Sequence, residues 1–193
     1  MMTEHVSTPN SKLISYDYRE HSELIDACIE DVKYTLTEYP EFQIYGKKAV
    51  QHRCISFYSN ESKGYTYSRK LEPSKKLTNN LSNLLMLINS NFNADFNGIL
   101  INLYKSGEDY ISAHSDDEKE LSSTGVLSIS VGAVRKFRIR DKSTRKIVKD
   151  IPTDSYSIIN MTGDFQKEFL HEIPIEKKIK DIRISFTFRK HDK

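Results

Sequence analysis

Within ISAHSDDEKE, residues 111 to 120, His114 and Asp116 stand two positions apart. In an extended segment, side chains at that spacing leave the same face, so an imidazole and a carboxylate there can hold one metal ion. Spacing alone is weak evidence, because 6 histidines and 13 aspartates in 193 residues yield about 0.4 such pairs by chance. A site of two histidines and one carboxylate, which leaves coordination positions open, needs a second histidine from another strand. His171, in KEFLHEIP beside an apolar patch, is the only other histidine in the strand-rich region apart from His191 near the C-terminus, and His5, His21 and His52 fall earlier.

A second constellation closes the chain. In DIRISFTFR the apolar Ile182, Ile184, Phe186 and Phe188 alternate with Arg183, Ser185, Thr187 and Arg189, so one face is core and the other carries two guanidiniums. Six residues separate the arginine Cα atoms by roughly 20 Å, and side chains bent inward from both ends leave a gap suited to a short dicarboxylate, for which paired arginines are the expected clamp. Asn102 and Tyr104, in LINLYK, share a face opposite Ile101 and Leu103.

The elements that must position these residues are legible in outline. Residues 1 to about 12 are polar and aperiodic and read as a mobile tail, leaving residues 13–193 as one domain. HSELIDACIEDVKYTL has helical spacing with Ser22 placed to cap it, and PSKKLTNNLSNLLMLINSNF opens with Pro73 in a first turn and stripes Leu77, Leu81, Leu84, Leu85 and Ile88 along one face. Between them, FQIYGKKAVQHRCISFYSNESKGYTYSRK reads as short strands and tight turns. Beyond Gly98 comes a train of strand-like segments without intervening helices, which implies an antiparallel sandwich or barrel.

Composition excludes several classes. The charge is +2, so no global field draws the chain to nucleic acid or an anionic membrane. Cys28 and Cys54 form no CxxC pair, and no signal peptide, spanning segment, GxSxG or GxxxxGK[ST] appears. These features point to a soluble intracellular protein with no membrane association. RKFRIRDKSTRKIVK is a local basic patch suited to phosphate contact.

Taken in order, INLYKSGEDYISAHSDDE, SISVGAVRKF, His171 and RISFTFR resemble the AlkB-type dioxygenases that use Fe(II), 2-oxoglutarate and O2, especially those that repair alkylated DNA. The resemblance runs from about Phe42 to Arg189. It implies an α+β fold: a double-stranded β-helix (jelly-roll) core over about residues 98–190, two N-terminal helices, and a β-hairpin nucleotide-recognition lid over about residues 40–72. It makes His114, Asp116 and His171 the iron ligands and catalytic centre. Asn102, Tyr104, Arg183, Thr187 and Arg189 become contacts to 2-oxoglutarate, with Arg183 paired to the distal carboxylate. Ser185 departs from the family, standing where many relatives carry asparagine.

The resemblance also implies substrate contacts. Tyr45, Gly46 and Lys47 match a hairpin that enters a duplex beside its target, and Tyr65, Thr66 and Tyr67 match the lid over a flipped base. Asp117 and Glu118 follow into the substrate pocket, where a carboxylate favours a cationic N-methylated base over the neutral one. The implied activity is oxidative demethylation of 1-methyladenine or 3-methylcytosine in nucleic acid by a monomer, with release of formaldehyde, succinate and CO2. The alternatives are an oxygenase of the same family acting on RNA or protein, and a non-catalytic nucleic-acid binder.

Overall fold

A computed structural model of the chain describes residues 1–44, 47–67, 70–116 and 125–191. Tyr45, Gly46, Asp117 and Glu118 lie outside the described residues, as does the side chain of Tyr67.

The chain opens with a hairpin of β1 (Met2–Ser7) and β2 (Ser11–Asp17), followed by α1 (Ser22–Val32). Next come β3 (Glu41–Ile44), β4 (Lys47–Val50), β5 (Cys54–Tyr58), β6 (Gly64–Tyr67), β7 (Lys70–Lys75) and α2 (Asn79–Phe92). The strand train is β8 (Gly98–Tyr104), β9 (Ile111–His114), β10 (Val126–Gly132), β11 (Lys136–Asp141), β12 (Ile147–Pro152) and β13 (Ser157–Gly163), then the four-residue α3 (Phe165–Glu168), β14 (Phe169–Ile173) and β15 (Arg183–Arg189).

Two facing sheets enclose the site. One has the order β1-β2-β13-β10-β15-β8-β5-β7-β6, and the other β12-β11-β14-β9; β3 and β4 pair separately. The eight strands of the train are shared between the sheets, β8, β10, β13 and β15 in one and β9, β11, β12 and β14 in the other, alternating except at the β11–β12 hairpin, which is the arrangement of a jelly roll. No helix among the described residues is long and apolar enough to cross a membrane.

The alternation in RISFTFR now has two buried faces. Ile184, Phe186 and Phe188 join the core beneath α1 and α2, packed with Ile25, Cys28, Leu81, Leu84 and Ile88. Arg183, Ser185, Thr187 and Arg189 point between the sheets and are also buried. Each fully buried aliphatic or aromatic side chain contributes about 1.5–3 kcal/mol, so the helices fix β15 from outside while its polar face stays available for chemistry. Ile182 precedes the strand and is 56% exposed, so it is not part of that core face.

Three boundaries differ from expectation. Residues 1 to 12 are not a tail: β2 pairs with β13 from Asp17 to Ser11, and Val6 and Leu13 are buried between the sheets. A Cβ at Gly163, which has φ +68°, would stand 2.0 Å from Asn10 O, so the hairpin packs where only glycine fits. Pro73 lies in β7 opposite Gly64, and α2 begins only after Thr78, whose hydroxyl accepts from Leu81 N. His21, not Ser22, occupies the N-cap of α1, without a side-chain cap.

Candidate active site

β9 and β14 are antiparallel neighbours, and their register sets His114 directly opposite His171, with ring centroids 4.3 Å apart. Asp116, two residues past His114, lies between them: its Oδ1 is 3.7 Å from His114 Nε2 and its Oδ2 is 3.5 Å from His171 Nε2. One ligand atom from each residue falls within 4.8 Å of the others. Three residues separated by up to 57 positions therefore converge through strand register.

Each member is oriented by its surroundings. His114 Nδ1 donates to Ser112 O at 2.9 Å, which leaves Nε2 as the lone-pair donor facing the centre. The His171 ring stacks on Phe137 at 5.2 Å and 16°. Asp116 Oδ1 accepts from Arg189 Nη2 at 2.7 Å, whereas its Oδ2 is buried with no hydrogen-bond partner. A buried carboxylate oxygen without a donor is costly unless a cation meets it, and the two imidazole nitrogens that flank it complete a donor set suited to a divalent transition metal.

The protonation states agree. Burial alone raises the Asp116 pKa, but Arg189 and then the two imidazoles outweigh it and hold the carboxyl at about 2. Burial lowers both histidines, His171 to about 3 with His114 adding to the shift. At neutral pH the centre therefore holds one carboxylate and two neutral imidazoles, the forms that bind a metal ion.

The cleft extends inward from this centre along β8 and β15. Antiparallel register puts Tyr104 opposite Arg183 and Asn102 opposite Ser185. The Asn102 Nδ2 donates to Ser185 Oγ at 3.4 Å, so Ser185 is built into the wall. Arg183 Nε donates to Thr153 Oγ1 at 3.2 Å and Nη2 to Ser130 Oγ at 2.8 Å, and its guanidinium carbon lies 5.1 Å from the Tyr104 ring centroid. Its Nη1 is buried without a partner, an N–H group ready for an anion. Thr187 also lines the cleft, with its Oγ1 3.4 Å from Ser128 Oγ.

The two arginines are thus not a symmetrical clamp. Arg183 has an N–H available at the inner end, while Arg189 is engaged with Asp116 and lies 4.8 Å beneath the Tyr65 ring. Tyr65 is buried and lines the cleft, Thr66 faces the exposed side of β6, and Lys47 is exposed on β4.

Several site residues escaped the sequence reading. Arg53 is 2% exposed and donates from Nε to Asn102 Oδ1 at 2.8 Å, yet in VQHRCIS it reads as an ordinary strand cation. Gln166, whose Oε1 accepts from Asp116 N at 2.9 Å, sits on a helix too short to show periodicity. Three arginines of the basic hairpin have partners that the sequence did not announce. Arg135 is 1% exposed and ties Glu176 to the carbonyls of Ser106, Asp109 and Pro174. Arg138 pairs with Asp150, and Arg140 with Glu172. These arginines serve the fold, because cross-strand acids distant in sequence neutralise them.

Residues 11–189 match the profile of the 2OG-Fe(II) oxygenase superfamily. The chain is 29% identical over 188 residues to the human protein named DNA oxidative demethylase ALKBH2, covering 93% of this chain and 72% of that one. It is 35% identical over 135 residues to rat alpha-ketoglutarate-dependent dioxygenase alkB homolog 3, covering 65% of this chain and 46% of the relative. Among solved structures, OsALKBH1 superposes with a TM-score of 0.63 at 16% identity, covering 96% of this chain and all of that one.

Proposed function

The chain belongs to the 2OG-Fe(II) oxygenase superfamily as an AlkB-type member, and from that premise we propose that it is a DNA repair dioxygenase that oxidatively demethylates N-alkylated bases. The reading rests on one observation above the others: the convergence of His114, Asp116 and His171 at one end of a cleft whose inner end presents the unpartnered Nη1 of Arg183.

In this reading His114, Asp116 and His171 hold Fe(II), with Asp116 Oδ2 and the two Nε2 atoms as ligand atoms. Bound there with 2-oxoglutarate and O2, the metal supplies the oxidation that turns cosubstrate into succinate and CO2 and a base N-methyl group into formaldehyde. Everything else is positioning. Ser112 O keeps the His114 Nδ1 protonated, so the ring cannot present the wrong nitrogen. Arg183, with Tyr104 beside it, receives the distal carboxylate of 2-oxoglutarate and sets the cosubstrate along the cleft; Thr187, further along β15, and Asn102, fixed by Arg53, line its sides. Arg189 stabilises the ionised form of Asp116. Tyr65 lines the wall.

For the polymer, Tyr45, Gly46 and Lys47 form the proposed hairpin contact, and Tyr65, Thr66 and Tyr67 the proposed lid over an extruded base. Asp117 and Glu118 are the proposed carboxylates facing a base that methylation has made cationic. Two relatives named as DNA oxidative demethylases, human and bovine, support DNA as the substrate polymer.

The test is a substrate panel. Single- and double-stranded DNA and RNA oligonucleotides carrying 1-methyladenine or 3-methylcytosine are incubated with purified protein, Fe(II), 2-oxoglutarate and O2, and methyl loss is measured. Demethylation of the DNA substrates is the expected result. Turnover of RNA alone, or of none of them by iron-loaded protein, would overturn the assignment.

A further inference from the structure

The metal-centre reading leaves unexplained how Asp116 keeps its place. His114 and His171 stand on paired strands, but Asp116 lies two residues beyond the end of β9, where no ladder holds the backbone. Two side chains from elsewhere meet that stretch. Gln166 Oε1 accepts the Asp116 backbone N–H at 2.9 Å across 50 positions, and Lys142 Nζ donates both to Ser115 Oγ at 2.7 Å and to the Gln166 backbone carbonyl at 3.0 Å. The Gln166 amide is itself oriented, since its Nε2 lies 3.6 Å from Met161 Sδ, which leaves Oε1 turned toward Asp116.

We propose that Gln166 is a positioning residue for the carboxylate ligand, fixing the Asp116 main chain from outside the metal site. The inference rests on the reading of His114, Asp116 and His171 as metal ligands. Asp116 is then held at two ends: Gln166 fixes its backbone N–H and Arg189 fixes Oδ1. With both fixed, Oδ2 is the oxygen turned toward His171 Nε2 and left for the ion. Without the Gln166 acceptor, the Asp116 N–H turns to water and the strand-end segment gains freedom, so the ligand must be ordered at each binding event. Lost outer contacts of this kind lower metal affinity about 10–100-fold.

The test separates the acceptor from the volume it fills. Metal-free wild-type, Asp116→Ala, Gln166→Met and Gln166→Glu proteins are titrated with Mn(II) in the presence of 2-oxoglutarate, and their melting temperatures are compared without metal. Met keeps the length and loses the acceptor; Glu keeps both. The expected pattern is one tight site in the wild type, none in Asp116→Ala, at least tenfold weaker binding in Gln166→Met, and near wild-type binding in Gln166→Glu. Gln166→Ala is titrated alongside, so a Met variant that fails to fold does not end the test. Equal affinity of Gln166→Met, or of Gln166→Ala in its place, with the wild type would overturn the inference while leaving the metal site intact. Equal weakening of Gln166→Met and Gln166→Glu would also overturn it. Absence of a Mn(II) site in the wild type would overturn the metal reading itself.

Discussion

Arg183 and Arg189 leave the same face of one strand, yet they meet different partners. Arg189 is spent on Asp116, whereas Arg183 keeps a buried N–H without a partner. If Arg183 receives the distal carboxylate, Arg183→Met costs a buried charge-assisted contact of about 2 kcal/mol or more, roughly 30-fold. Steady-state kinetics should show that loss in KM for 2-oxoglutarate, with Mn(II) affinity unchanged; an unaltered KM would contradict the assignment. The alternation of RISFTFR and the pair His114 and Asp116 were legible because side chains two apart in extended chain share a face. Arg53 and Gln166 were not, because their roles depend on partners 49 and 50 positions away that no local pattern announces.

At the scale of elements, the helices do their work by burying the outer face of β15, and that burial reaches the two cysteines. Cys28 is fully buried in α1, and burial, with Asp31 adding to it, pushes its thiol up to about 12. Near pH 8 only roughly one molecule in ten thousand is thiolate, and Cys54 is buried with its pKa raised for the same first cause. Neither cysteine should react with iodoacetamide in the native protein, and both should after denaturation, as counted by mass spectrometry. The N-terminal hairpin makes a second prediction. Deleting residues 1–10 removes β1 with its buried Val6, uncovers β2 and opens the space beside Leu13, so the melting temperature should fall by several degrees, as calorimetry would show. A tail would leave it unchanged. This hairpin escaped the sequence because β1 buries a single side chain, Val6, and an edge strand with one apolar contact carries no alternation to read.

For the molecule as a whole, the jelly roll follows from the train of strands after Gly98, which among its described residues has no helix long enough to cross over between parallel strands. The distribution of charge could not be read the same way. RKFRIRDKSTRKIVK is basic in sequence, but Glu176, Asp150 and Glu172 neutralise three of its four arginines, Arg135, Arg138 and Arg140, in three dimensions. Polymer contact should therefore depend less on Arg138 and Arg140 than on Lys47 and Lys48, whose side chains are exposed although Lys48 has Glu41 at 3.7 Å. In a fluorescence-anisotropy titration with methylated oligonucleotide, Lys47→Ala with Lys48→Ala should reduce the slope of log affinity against log salt by about 1–2, and Arg138→Ala with Arg140→Ala should leave it unchanged. The reverse order would return the hairpin to the interface.

The most direct measurement of the central claim is formaldehyde released per succinate formed on a DNA oligonucleotide carrying 1-methyladenine. The comparison is between wild type and His114→Ala, Asp116→Ala and His171→Ala proteins of unchanged melting temperature. A ratio near one in the wild type, with both products abolished in all three variants, is the predicted result. Demethylation that survives loss of any one of these ligands, or succinate formed with no formaldehyde from the methylated strand, would contradict it.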